Sequence, residues 1–229
     1  FGSYLVFRKL EQRVASFLAT EQGLATALGL LGADRERAGA MAVGRFRNGT
    51  PLALCPAPPP GNVKAHNFND FNYFKEAETG ASCPLHAHIR RLNPRTTSHV
   101  AMAGERGHRI VRRSIPYGRR QGQDENPPTL KDAPDTGVGM LFMSFQANIA
   151  DQFAFLQKVW ANDTQKPEEA RDGIDPLIGQ AKGRPTKQLW SPRRCGKPNT
   201  AFDFAGHVGL LGGEFFFAPS IPFLLNPPA

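Results

Sequence analysis

The sequence predicts an α+β layer fold, an antiparallel sheet with helices packed on one face. Three observations predict it. A β-rich run, Tyr4-Leu5-Val6-Phe7, opens the chain. The apolar run from Met140 to Gln146 leads into a segment whose Ile149, Phe153, Leu156 and Trp160 fall on one helical stripe. The chain then closes on Phe202–Val208 and Glu214–Phe217, two short β-rich runs joined through glycines, which read as a hairpin.

The remaining elements follow the same logic. From Lys9 the pattern turns helical, with Leu10, Val14, Phe17 and Leu18 recurring at spacings of 3 and 4. A second helix is expected over Asp34–Val43, with Asp34 as its N-cap before Arg35-Glu36. Met140–Gln146 reads as the clearest buried strand, and Ile149–Trp160 as an amphipathic helix. Three long loops separate these elements, at residues 48–68, 118–137 and 163–199. The first carries Cys-Pro-Ala-Pro-Pro-Pro-Gly, the second is polar and Pro-rich, and the third has little periodicity. No internal repeat is visible.

Composition narrows the class. A chain of 229 residues buries about 70% of its unfolded surface, ample for one large or two small domains. At 40% hydrophobic and 21% charged it is neither disordered nor fibrous. Gly and Pro, 23 and 20 in number, exceed the average of roughly 12%, in keeping with long irregular connections. No apolar run reaches the ~20 residues of a membrane-spanning helix. Cys55, Cys83 and Cys195 are odd in number and lack a Cys-x-x-Cys pair, which excludes a zinc ribbon or disulfide scaffold and favours a cytoplasmic location. The opening Phe1-Gly2-Ser3, without Met, charged n-region or cleavage site, leads us to expect a fragment or a processed chain. The net charge of +8 gathers at Arg106–Arg120 and Lys182–Lys197. No helix-turn-helix or aromatic-interleaved basic motif accompanies it, so we read a solvated face or a counter-surface for an anionic ligand rather than a nucleic-acid groove.

The most unusual stretch lies between Asn69 and Gly118. It holds Cys83-Pro-Leu-His86-Ala-His88-Ile-Arg90-Arg91-Leu-Asn-Pro-Arg95 and then Arg109-Ile-Val-Arg112-Arg113-Ser-Ile-Pro-Tyr-Gly118. Such a pattern suits a first-row metal, an anionic cofactor or plain solvation. His86 and His88 lack the third and fourth ligands of a closed zinc site. A haem needs one proximal ligand and cations for its propionates, which one histidine beside arginines supplies. His66, His99, His108 and His207 read as structural.

Six segments in order then resemble the dye-decolourising peroxidase family: Gly2–Gln12, Asn69–Tyr73, Cys83–Arg95, Val111–Gly118, Leu141–Leu156 and Gly212–Ser220. The resemblance implies that residues 1–229 form a C-terminal, ferredoxin-like haem-binding domain with its haem pocket beside the sheet. It implies one haem b per chain, hydrogen peroxide as oxidant and a bulky organic donor such as a dye or phenolic. His88, in Ala-His-Ile-Arg, matches the proximal iron ligand, while His86 matches no ligand and is expected near it or at the surface. Arg112 matches the distal arginine opening Arg-x-x-Ile-Pro-Tyr-Gly, with Arg113 as its rival. Arg90, Arg91 and Arg113 are candidate propionate partners. Met140 and Phe142 fall where the family lines its distal pocket, although core packing explains both equally well.

Two departures stand out. Where related sequences often carry an acid beside the proximal histidine, this chain has Ala150, so Asp151, or Asn148, is expected to hold the ring N–H of His88. The family's N-terminal half carries Gly-x-x-Asp-Gly, whose aspartate moves a proton between the peroxide oxygens. That motif is absent, since the nearest string, Glu169-Ala-Arg-Asp172-Gly173, lacks the leading glycine. An N-terminal half is therefore an expected partner, and 17 Phe make an uncovered domain-facing surface costly. A homo-oligomer is a further expectation. Neither nucleic acid nor membrane is expected as a partner. Tyr73, Tyr117, Trp160 and Trp190 are candidate electron relays, with packing the favoured reading of each. The alternative function is a non-catalytic haem-binding or haem-handling module.

Overall fold

In the computed structural model the described residues are 2–55, 68–76, 79–95, 104–118, 131–162, 173–180, 187–191 and 199–226. The strands, in chain order, are β1 Gly2–Gln12, β2 Val111–Arg112, β3 Ile115–Tyr117, β4 Gly139–Gln146, β5 Gln188–Trp190, β6 Thr200–Phe202 and β7 Val208–Pro219. The α-helices that matter below are α1 Val14–Ala27, α2 Glu36–Val43 and α3 His88–Leu92. The chain divides into two units. One comprises Phe1–Phe17, Arg106–Leu156 and His207–Ala229; the other comprises Leu18–Glu105 and Gln157–Gly206.

The first unit holds an antiparallel sheet in the order β2-β4-β1-β7, with β3 also pairing β4. Taking β2 and β3 as one interrupted strand, the order is that of a ferredoxin-like βαββαβ unit. The β-rich opening run earns the central place, because Val6 pairs Ser144 on one side and Phe215 on the other. Opposed residues share a face, so Arg112, Ser144, Val6 and Phe215 form one row across the sheet. Over this face runs a helical segment wound as a π-helix, Ile149–Ala154. Its Phe153 ring lies 5.9 Å from Phe142 and 6.5 Å from Phe215. The Arg8 guanidinium sits 4.6 Å from the same ring. Burying such a phenylalanine is worth about 1.5–3 kcal/mol, which is what holds helix to sheet here.

Several expectations change on this frame. The helix begins at Val14, not Lys9, because Lys9, Leu10 and Glu11 extend β1 and pair with Leu141, Met140 and Gly139. Ladder pairing on both edges outweighs a local helical spacing. The expected hairpin does not form either. Thr200–Phe202 pairs with Gln188–Trp190, and Val208–Pro219 runs as one strand through its glycines. Gly213 is needed there for closeness rather than for turning, since a Cβ would lie 2.6 Å from the Phe7 carbonyl oxygen. Asp34 caps nothing: it sits inside a 3-10 turn, Gly32–Arg35, that feeds α2. Of the expected loops, residues 56–67, 119–130, 163–172, 181–186 and 192–198 lie outside the described residues, as do His66, His99 and Cys195.

The second unit buries Leu24, Met41, Leu52, Ile174, Trp190 and Phe204 completely or almost so. Gln188, also fully buried, ties its strands and turns together. Its Nε2 donates to the carbonyls of Ile174 and Phe204, and its Oε1 accepts from the Phe204 amide. Among the described residues no helix is long and apolar enough to cross a membrane.

Glu21 supplies a test of this packing. Burial raises its carboxyl above the ordinary value, and the Arg47 guanidinium, 2.8 Å away, only partly offsets the rise. The folded state therefore holds this proton more tightly than the unfolded chain does. The stability it contributes is full below about pH 4.5 and is lost as pH rises through the elevated value. Glu21→Gln should match the parent in thermal midpoint at low pH and exceed it at neutral pH; thermal scans between pH 4 and 7 read the divergence.

Candidate functional site

His88 opens α3 at the end of a tight turn in which the Ala87 amide donates to the Pro84 carbonyl at 3.0 Å. Ala87 is extended, φ −54° and ψ 134°, so helical geometry starts only at His88. The next residue anchors the helix to α2. Gly44, closing α2 with φ +98°, leaves room for Ile89, whose Cγ1 a Cβ at Gly44 would strike.

The histidine is itself held from one side. Its Nδ1 lies 2.9 Å from Oδ2 of Asp175, whose side chain is wholly buried, while His88 keeps 16% of its side-chain exposure. The other carboxylate oxygen of Asp175 accepts the amides of Leu177, at 2.8 Å, and Ile178, at 3.0 Å. The Asp175 amide donates to the Ala161 carbonyl. Burial alone would raise this carboxyl. The charge and hydrogen bond of His88 and the two amides outweigh burial and hold it below the ordinary carboxylate value. An ionised Asp175 accepts the Nδ1–H, which in the neutral ring leaves the lone pair of His88 on Nε2.

Asp175 replaces the residue expected in this role. The Asp151 carboxylate accepts instead from Asn148 Nδ2 at 2.7 Å, and its carbonyl accepts from His108 Nδ1, all within the first unit. Asn148 itself caps the π-helical segment through the amides of Ala150 and Asp151. Asp175 lies 87 residues from His88 in a stretch without periodicity. The only local signal there is the Asp-Pro step, which marks a turn but not a partner.

The arginines sort themselves by their partners. Arg90 is buried and donates to Glu76 and to the Cys83 carbonyl within its own unit. Arg91 is buried too, and its Nε donates to the Trp160 carbonyl at 2.6 Å. Arg112 and Arg113 are exposed on the first unit's sheet. The Arg113 amide donates to Met143, and its Nη1 to the Arg112 carbonyl. Met140, Phe142 and Arg112 share one sheet face by strand alternation and pairing, with Phe142 resting on Phe153.

His86 is neither a surface residue nor near solvent. It is fully buried, edge-on to Trp190 at 4.3 Å, and burial, with Arg91's charge, pushes it down to about 3. It stays neutral at any ordinary pH. Tyr73 and Trp190 are buried, which makes them packing groups rather than surface relays, whereas Tyr117 and Trp160 are half-buried. Among the described residues no group of three or more His, Cys, Asp and Glu is placed to hold a metal ion.

Comparison with known proteins bears on this arrangement. Residues 1–179 match the family model described as Dyp-type peroxidase, C-terminal. The chain is 45% identical over 233 residues to the multifunctional dye peroxidase DyP2 of Amycolatopsis sp., covering 98% of this chain and 48% of that protein. The solved DyP2 structure superposes with a TM-score of 0.85 at 42% identity, covering 98% of this chain and 48% of that one. The DyP-type peroxidase of Anabaena sp., AnaPX, superposes with a TM-score of 0.81 at 40% identity, covering 98% and 45% respectively. The chain thus spans about half the length of the curated relatives it matches.

Gly44 tests how tightly α3 is seated. Gly44→Ala forces an L side chain into φ +98° and drives its methyl onto Ile89, so the second unit should lose about 1–3 kcal/mol. Urea unfolding with an unchanged slope and a lower midpoint is the expected record.

Proposed function

The chain belongs to the Dyp-type peroxidase family, and from that premise we propose that residues 1–229 form the C-terminal haem-binding part of an enzyme that reduces hydrogen peroxide while oxidising a bulky organic donor such as a dye or phenolic. The observation that carries this reading is the hydrogen bond from His88 to a wholly buried, ionised Asp175. It is the donor set that haem chemistry calls for: one histidine, its tautomer fixed and its ligating nitrogen made electron-rich.

Haem b, when bound, supplies the iron redox chemistry that takes oxidising equivalents from peroxide and delivers them to a donor. His88 would hold it through Nε2, with Asp175 keeping Nδ1 protonated and the ring oriented. Arg112, permanently charged, would hydrogen-bond peroxide and stabilise negative charge on the departing oxygen. Met140 and Phe142 would keep water from the reacting face. Arg113 is the exposed cation beside Arg112 and suits a propionate carboxylate.

The proton transfer between peroxide oxygens falls, in this reading, to the N-terminal half of the enzyme. The sheet supports such a partner. The face turned away from Phe153 carries Leu5, Phe7, Leu141, Met143, Phe145 and Phe216, with Phe216 49% exposed. An apolar sheet face of this kind needs a cover, and the relatives are about twice as long as this chain. A cytoplasmic location rests on cysteine usage. The Cys83 thiol is buried and pushed up to about 12, which keeps it protonated and unreactive.

Haemin titration followed by peroxide tests the reading. A Soret band should form and, once the N-terminal half is supplied, change on adding peroxide; a band that forms and never responds even with that half present would identify a haem-handling module instead. His88→Ala should abolish that band. Asp175→Asn should retain haem but weaken its affinity by about 10–100-fold, because the ring loses its anionic partner. Arg112→Leu should keep haem and slow the reaction with peroxide by about 10²-fold or more, read by stopped-flow absorption.

A further inference from the structure

Between the 3-10 turn Phe74–Glu76 and α3, one ion pair closes the loop that delivers His88. The Glu76 carboxylate accepts the amides of Ser82 and Cys83. Arg90 reaches back from α3, donating through Nη1 to the Cys83 carbonyl at 2.6 Å and through Nη2 to the Glu76 carbonyl at 2.7 Å. Nη1 also lies 3.4 Å from Glu76 Oε1, and the guanidinium stacks 4.5 Å from the Tyr73 ring centroid. Both side chains are nearly sealed from water, at 6% and 10% exposure.

Geometry separates this cluster from the ligand. Residues two apart on a helix point to opposite sides, so Arg90 faces the loop while His88 faces away from it. A buried ion pair is a poor source of net stability, because desolvation offsets its attraction. What this one supplies is direction: its bonds run to backbone carbonyls and amides at both ends of a single loop.

We infer that the Arg90–Glu76 pair is a positioning clasp for His88, presetting the turn from Ser82 to Ala87 so that the histidine enters α3 already aimed, and that Arg90 does not bind a propionate. This rests on the reading of His88 as the haem ligand. Arg90 and Glu76 act through the loop, and neither touches the cofactor.

The test uses haem-loaded protein carrying Arg90→Lys, Glu76→Gln or both, beside His88→Ala. Two readouts apply: the rate of haem transfer to apomyoglobin, and the iron–histidine band in the ferrous resonance Raman spectrum. Each clasp variant should speed haem loss by about tenfold and shift or broaden the band, with the double variant no worse than the worse single. The same fold-change should appear with haem dimethyl ester, which has no propionate charge. Disappearance of the Arg90→Lys effect with the ester would make Arg90 a propionate ligand and overturn the clasp. So would an unchanged band and haem-loss rate in Glu76→Gln, the milder variant, which keeps an oxygen for the Ser82 and Cys83 amides. If His88→Ala keeps a histidine-ligated spectrum, the ligand reading falls and takes the clasp with it. If His88→Ala loses that spectrum while the clasp variants change nothing, only the clasp falls.

Discussion

A carboxylate with no exposure to water has to be compensated on every side, and Asp175 is where the second unit meets that requirement. One oxygen takes two backbone amides from the turn that follows it, and the other takes the ring N–H of His88. Removing one partner of a buried pair costs about 3–5 kcal/mol, so the turn, the histidine and the carboxylate stand or fall together. The same bond that satisfies Asp175 fixes the tautomer of His88. Folding and function thus place the same demand on one hydrogen bond.

The loop ahead of His88 follows a related rule at the other side of α3. Glu76 and Arg90 direct hydrogen bonds to backbone groups of the loop, which fixes the loop's path. Gly44 admits Ile89 and so sets the depth at which α3 lies against α2. His88 is therefore flanked by residues whose only work is placement.

The first unit is organised around β1 instead. Because β1 pairs on both edges, Val6 is completely buried, and the row from Arg112 to Phe215 is in register across four strands. Phe153 packs on one face, where Phe215 still stays 56% exposed. The other face keeps large apolar side chains half-exposed.

The sequence by itself determined the class of fold, the strand at Tyr4–Phe7, the strand and helix from Met140 to Trp160, and the motif that singles out His88 and Arg112. These are local features: two-residue alternation, helical spacing and short ordered strings are complete within a dozen residues. Tertiary structure alone decided that Lys9–Glu11 stay in the sheet, that Val208–Pro219 is one strand rather than half a hairpin, and that Asp175 rather than Asp151 holds His88. It also brought the Arg90 guanidinium onto the Cys83 and Glu76 carbonyls. Each of these depends on groups brought together from distant parts of the chain, where ladder pairing or the need to compensate a buried charge outweighs local preference. A carboxylate 87 residues away from its histidine leaves no trace in spacing, because the force that unites them acts only once both are out of water.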